Sequence, residues 1–339
     1  MTGLYSQKYK KIMKEDRFNK FKKTIINKDY GQYWSEAKNT FMIDFVNGNF
    51  LNKGKRNYFP DIYNPDLNEA NLLDVNLNNK ENKKIFKLGK KKLCLNKNTK
   101  NRTLIYSQYY VNSIDKYLNE KNVVCEIGSG SGLFSALIHE RKKTTNILVD
   151  IPEVLLTAIS LLFTLFPDKN FLLPNEIDKS SLSIDFSKYD FVFLTPDLIN
   201  YIGDESINFG INTQSFMEMD MDEVDRYLKF LDKKISNNGY FFCSNRIRKR
   251  HYFFDYKFYL LNKFEKVFLK KNEFFYSNPK SSSMLDFLLK KNLDTNKKSI
   301  SFNFYEKLYI LTRFKKNEFF SWIKKDLRKL LSFYKKRIL

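Results

Sequence analysis

The sequence predicts an α/β domain built on a largely parallel sheet, and three observations carry that expectation. From about residue 101 onward, short β-rich runs alternate with stretches of helical period. One run, VVCEI (123–127), leads into glycines at 128, 130 and 132 and then a helix. A second run, NILVD (146–150), ends in an acid and is followed two residues on by Pro152, a residue suited to the first helical position.

The elements follow in order. RTLIYSQYYVNSIDKYL (102–118) has helical period, VVCEI enters the glycine turn, and LFSALIHERKK (133–143) is a helix whose N-terminus is glycine-rich. After NILVD comes the largely apolar run VLLTAISLLFTLF (154–166); at 13 residues it is too short to span a bilayer and reads as a buried helix. NFLLP (170–174), YDFVFLTP (189–196) and INFGINTQSF (207–216) are strand candidates. MDMDEVDRYLKFLDKKI (219–235) is an amphipathic helix with its acids early and lysines late, as the helix dipole favours. Asn237-Asn238-Gly239 is read as a turn into YFFCSN (240–245). EKVFLKK (265–271) and KLYILTRF (307–314) read as two final strands.

Around this unit the texture differs. Residues 1–100 are polar, Asn- and Lys-rich and aromatic, with an amphipathic helix expected over 31–48 and an irregular stretch over 71–85. They are read as a mainly helical N-terminal cap over the substrate side, rich in aromatic residues such as Tyr33 and Trp34, for which core packing is the default use. Residues 101–315 form the α/β domain, and 316–339 a basic amphipathic C-terminal helix. That tail sets Phe320, Ile323, Leu327, Leu330, Tyr334 and Ile338 on one face opposite lysines and arginines. Such a face suits peripheral membrane contact, or docking on the domain itself.

With 339 residues and 42% apolar content the chain can build a sizeable core. Cysteines at 94, 125 and 243 are odd in number and scattered, which argues for reduced thiols in the cytoplasm and against a disulfide framework or zinc cluster. MTGLYSQKYKK, at the start, has no apolar secretory core. The net charge of +22 invites a nucleic-acid partner. The excess is mostly lysine, however, in a chain rich in Asn, Ile, Phe and Tyr with alanine only at 37, 70, 136 and 158, a profile of A/T-rich codons. The basicity is therefore read as a solvated surface, and nucleic acid as the disfavoured partner.

Glycines let a backbone approach a ligand closely, and the helix that follows offers unpaired N–H groups. The dinucleotide fingerprint is G-x-G-x-x-G. Here the spacing is G-x-G-x-G, and Leu133 stands where the third glycine would belong. Glu126 precedes the first glycine by two residues, and Asp150 ends the next strand, where a carboxylate can take both ribose hydroxyls.

E-x-G-x-G-x-G followed by a strand ending in Asp resembles the S-adenosylmethionine (SAM) site of class I methyltransferases. The resemblance implies SAM as cofactor. Gly128, Gly130 and Gly132 would line its methionine and ribose part, Glu126 would orient the turn and the amino-acid moiety, and Asp150 would bind the ribose. NTQSFMEMDMDEVDRYL (212–228) and GYFFCSNR (239–246), with DIPEVLL (150–156) and YDFVFLTP, resemble the bacterial sugar O-methyltransferase family. The likeness covers about residues 100–250 and implies a Rossmann-like, seven-stranded class I sheet with a reversed last strand. EKVFLKK and KLYILTRF would be its closing pair, with an insertion at 273–300.

That reading implies methyl transfer to a sugar hydroxyl in surface glycan or polysaccharide biosynthesis. Residues after the fourth and fifth strands of the family sheet lie on the ligand side, which places Asn212, Gln214, Asn245 and Arg246 as candidate substrate contacts. A hydroxyl nucleophile gains from a general base. Glu218 is the first candidate, its alternative being a first-turn acid favoured by the helix dipole; His251 is the second, its alternative a surface histidine in a basic loop. His139, in the first helix after the glycine turn, is read as structural. Asp220 and Asp222 are spaced by two on a helix and point apart, so no metal is expected. Two rivals stay open: an RNA ribose methyltransferase, and a non-catalytic SAM-binding protein of a glycan assembly.

Overall fold

A computed structural model describes residues 16–17, 20–21, 102–246, 248–249, 252–253, 263–272 and 284–292. Its helices are α1 (Arg102–Ile114), α2 (Leu133–Lys142), α3 (Pro152–Leu165) and α4 (Met221–Lys234). The strands are β1 (Val123–Ile127), β2 (Thr145–Val149), β3 (Phe171–Leu172), β4 (Phe191–Leu194), β5 (Ile207–Thr213), β6 (Ile235–Arg246), β7 (Arg248–Lys249), β8 (Tyr252–Phe253), β9 (Phe264–Lys271) and β10 (Met284–Lys291). A 3₁₀ turn, Phe216–Glu218, joins β5 to α4. Among the described residues no helix is long and apolar enough to cross a membrane.

Eight strands form one sheet in the order β3-β4-β2-β1-β5-β6-β10-β9. β1 to β6 run parallel, while β10 is antiparallel to both β6 and β9. The sheet is Rossmann-like and matches the class I methyltransferase pattern, reversed strand included. Two expectations need correction. The sheet has eight strands rather than seven, because the two-residue β3 adds an edge beyond β4. The reversed strand is β10, which lies inside 273–300, the stretch expected to be an insertion. KLYILTRF, most of residues 1–100, His251 and the C-terminal 316–339 lie outside the described residues.

Both faces of the sheet are covered, so its strands are apolar on both sides. On β4, Phe191 and Phe193 face the core shared with α1, α2 and α3, and Val192 and Leu194 face the core shared with α4. The two phenylalanines are fully buried, each contributing about 1.5–3 kcal/mol. α3 begins at Pro152, as its sequence predicts, and is largely buried. His139 is buried, its Nδ1 lying 2.7 Å from the Thr144 carbonyl and its ring packed on Phe166 and Phe191, which gives it a structural role. The expected Asn-Asn-Gly turn is absorbed into β6 as an irregularity in its pairing with β5, with Asn238 at φ +63°.

The chain runs outward from β1 through β2 to β4, then returns to place β5 on the other side of β1. Strand order reverses there, which opens a crevice beyond the carboxyl ends of β1, β2 and β5.

Candidate active site

A cavity of about 260 Å³ occupies that crevice. Gly128 and Gly130 reach it from the turn after β1, Asp150 and Ile151 from the end of β2, and Pro196 from beyond β4. Thr213, Gln214, Ser215, Glu218 and Met219 reach it from β5 and the 3₁₀ turn, and Glu223 and Tyr227 from α4.

The three glycines all have positive φ, at +72°, +54° and +74°, but serve different purposes. A Cβ on Gly128 would lie 1.9 Å from Ser215 Oγ, so its lack of a side chain lets the loop after β5 close onto the turn. A Cβ on Gly132 would lie 3.0 Å from Ala158 Cβ and 3.1 Å from Leu148 Cδ2, so this glycine lets α2 start against α3 and β2. A Cβ on Gly130 would meet no atom within 4 Å. Gly128 and Gly130 thus line the cavity, while Gly132, expected there too, is a packing residue. The adjacent Ser129 Oγ is buried without a hydrogen-bond partner, a polar group that calls for one.

Asp150 sits where the sequence places it. Its Oδ2 accepts the Gly130 amide at 2.8 Å and its Oδ1 accepts the Ile151 amide at 2.8 Å, which pins the glycine turn to the end of β2. An ionised carboxylate offers about four lone-pair sites, so two remain for a ligand. Burial pushes its pKa up to about 7, the Gly130 and Ile151 amides hold it down, and the neighbouring Glu218 and Glu153 add to the rise.

Glu126 departs from its expected role. It is 2% exposed, is absent from the cavity lining, and accepts the Ser135 hydroxyl at 2.6 Å on Oε2. It therefore ties β1 to the first turn of α2. Burial pushes its pKa up to about 8, against the Ser135 hydrogen bond.

The four candidate substrate contacts separate. Asn212 is fully buried: its Nδ2 donates to the Ile127 carbonyl at 2.8 Å, and its Oδ1 accepts the Phe216 amide and Asn245 Nδ2. Asn245, also buried, accepts the Met217 amide on Oδ1 at 3.2 Å. Neither asparagine lines the cavity. They form a latch that fixes the 3₁₀ turn. Arg246 ends β6 exposed and outside the lining. Gln214 alone of the four faces the cavity, at φ +58°, with its amide N–H donated to the Ser244 carbonyl at 2.7 Å. Of the two candidate bases, Glu218 lines the cavity; His251 is not described.

Sequence reasoning missed Ile151, Pro196, Ser215, Met219, Glu223 and Tyr227. Several follow directly on strand ends, a signal that could have found them; Glu223 and Tyr227 share an α4 face that only packing reveals. Tyr227 is buried, with the Arg226 guanidinium 4.7 Å above its ring. No lysine or arginine lines the cavity among the described residues, whereas Asp150, Glu218 and Glu223 do. Nor does any group of three or more His, Cys, Asp or Glu side chains among them come together to hold a metal ion.

No family model matches the chain, and no curated protein does. Similar solved structures exist. Phosphoethanolamine N-methyltransferase 1 of Haemonchus contortus, solved with phosphoethanolamine and S-adenosylhomocysteine, is 12% identical with a TM-score of 0.43. The match covers 68% of this chain and 52% of that one, so the chain spans about half of that protein's length. The 1,6-didemethyltoxoflavin-N1-methyltransferase of Burkholderia thailandensis is 14% identical with a TM-score of 0.39, over 56% of this chain and 77% of that one. A SAM-dependent methyltransferase of Mesorhizobium loti is 11% identical with a TM-score of 0.38, over 55% and 98%.

Proposed function

We propose that the chain is a SAM-dependent methyltransferase whose acceptor is a sugar hydroxyl. The observation that carries the cofactor is the turn after β1: Gly130 faces open space beside a carboxylate at the end of β2 that keeps two lone-pair sites. A cavity lined by acids, and by no lysine or arginine among the described residues, favours a cationic ligand over a polyphosphate. SAM, when bound, supplies an electrophilic methyl group. Asp150 would hold its ribose, Ile151, Pro196 and Tyr227 its base, and the Gly128–Gly130 backbone its remaining length. The sugar acceptor rests on the resemblance of residues 212–228 and 239–246.

The chain's own chemistry is positioning and proton removal. Glu218 is the proposed base, set in the cavity by the Asn212–Asn245 latch. It takes the hydroxyl proton on a carboxylate oxygen, a contribution of about 10²–10⁴ in rate. Tritiated-methyl SAM incubated with sugars and glycan fractions tests the reading. Label should pass to a sugar, and Glu218→Gln should slow turnover by about that factor while SAM affinity stays the same. Label appearing only in RNA would reject the sugar acceptor, and absence of SAM binding would reject the cofactor.

A further inference from the structure

Behind Gln214 lies a buried polar chain that the proposed reaction does not use. Asp286 on β10 is fully buried. Its Oδ2 accepts the Tyr109 hydroxyl at 2.6 Å, and its Oδ1 accepts the Ser244 hydroxyl at 2.6 Å and Asn272 Nδ2 at 2.8 Å. Ser244 Oγ is 3.2 Å from Tyr110 Oη, and Gln214 Nε2 donates to Tyr110 Oη at 3.1 Å. A carboxylate placed this deep costs stability unless it is satisfied, and here three side-chain donors meet it.

Burial raises the pKa of Asp286, while hydrogen bonds from Ser244, Tyr109 and Asn272 favour its ionised form; with Asp286 ionised, the proton order along this chain follows. Ser244 has one hydroxyl proton, and the short contact to Asp286 takes it. Ser244 Oγ can then only accept from Tyr110, so the Tyr110 proton points at Ser244. Tyr110 Oη is left as an acceptor, and the group facing it must be the amide nitrogen of Gln214. That leaves its carbonyl oxygen as the amide end available to the cavity that Gln214 lines. The Gln214 backbone is held at φ +58°, a conformation costing about 1–2 kcal/mol for a non-glycine residue. Strain of this kind, kept at a cavity wall, marks a side chain whose direction matters.

We propose that Gln214 is an acceptor-binding residue whose carbonyl oxygen takes a hydrogen bond from the nucleophile's own X–H group, with Asp286, Ser244 and Tyr110 as positioning residues that forbid the amide flip. The site then admits a nucleophile that carries both a hydrogen and a lone pair, a hydroxyl or a neutral amine with an N–H, and discriminates against one that can only accept. The inference deepens the methyltransferase reading and rests on it.

The test uses the full-length chain saturated with S-adenosylhomocysteine and ¹⁵N-labelled. Hydrogen exchange of the Gln214 side-chain amide is followed by NMR, its signal identified by loss in Gln214→Glu. One amide proton should exchange on the order of tenfold more slowly than in a free glutamine. Tyr110→Phe keeps the ring, which packs on Phe134 and Phe242, and should abolish that protection. Asp286→Ala, which takes from Ser244 the acceptor of its proton, should weaken it, and Tyr110→Phe stands in its place if that variant fails to fold. Free-glutamine rates in the wild type, or protection that survives Tyr110→Phe, would overturn the proposal. In the transfer assay, Gln214→Ala should raise the KM for any labelled sugar by on the order of tenfold while leaving SAM affinity unchanged; an unchanged sugar KM would also overturn it. If no sugar accepts label, the sugar reading fails, and the exchange measurement still decides the orientation of Gln214.

Discussion

At the scale of single residues, three glycines of one motif have different work, and substitutions should separate them. Gly130→Ala adds a methyl where no atom stands within 4 Å, so its folding cost is the strain of positive φ alone, about 1–2 kcal/mol. Gly132→Ala meets that strain and also Ala158 and Leu148 at 3.0–3.1 Å, so it should melt lower than Gly130→Ala. Titration calorimetry should show the reverse order for SAM, with Gly130→Ala the poorer binder; equal affinities would remove Gly130 from the ligand wall. The two acids differ likewise. Asp150, near pKa 7, must be ionised to accept two hydroxyls, so SAM affinity should fall about tenfold per pH unit below 7 and the dependence should vanish in Asp150→Asn. Glu126 affects folding instead. Its folded pKa of about 8 lies above the ordinary 4.5, so the folded state holds a proton that the unfolded chain releases. That favours folding below about pH 4.5 and is lost as pH rises toward 8. Glu126→Gln should therefore gain thermal stability relative to wild type between pH 5 and pH 9, and a pH-independent difference would count against a buried, uncharged Glu126.

At the scale of elements, the 3₁₀ turn after β5 shows why part of the site was legible and part was not. The rule that ligands lie beyond strand ends pointed to Asn212, Gln214 and Glu218 after β5 and to Asn245 and Arg246 at the end of β6. Sequence position cannot distinguish an amide that faces a ligand from one that bonds the neighbouring strand. Asn212 and Asn245 bond each other and the turn's backbone, and so aim Glu218 without touching the cavity. β10 was missed for a related reason. MLDFLLKK has an acid at its centre, which breaks strand alternation unless partners are known, and those partners come from α1, β6 and Asn272. Asn245→Ala leaves the Met217 amide and Asn212 Oδ1 short of partners, and a buried unsatisfied group costs about 1–3 kcal/mol. Denaturant melts should show that loss. Turnover should fall further than stability explains, through misplaced Glu218.

At the scale of the whole molecule, the parallel core was legible because both of its faces are covered and its strands are continuous apolar runs, a pattern that survives without knowledge of contacts. What joins that core to the N-terminal region was not, because it depends on single long-range contacts. Arg17 reaches Glu176 through Nε and Nη2, each at 2.6 Å, donates to the Phe171 carbonyl at 3.1 Å, and lies over the Phe163 ring. Phe21, one turn on, is fully buried in the core that contains α3 and β3. This part of the N-terminal region sits at the β3 edge of the sheet and lines no part of the cavity, so its contribution is to the fold. Phe21→Ala should cost about 3–5 kcal/mol, the range for truncating a buried phenylalanine. Arg17→Ala should cost about 1 kcal/mol, its ion pair being partly exposed. Both variants should keep wild-type SAM affinity once folded, which calorimetry below the melting temperature would show. A chain that starts near residue 100 loses both contacts and should melt well below the full-length protein; melting at the same temperature would mean that Arg17 and Phe21 add nothing to the stability of the sheet.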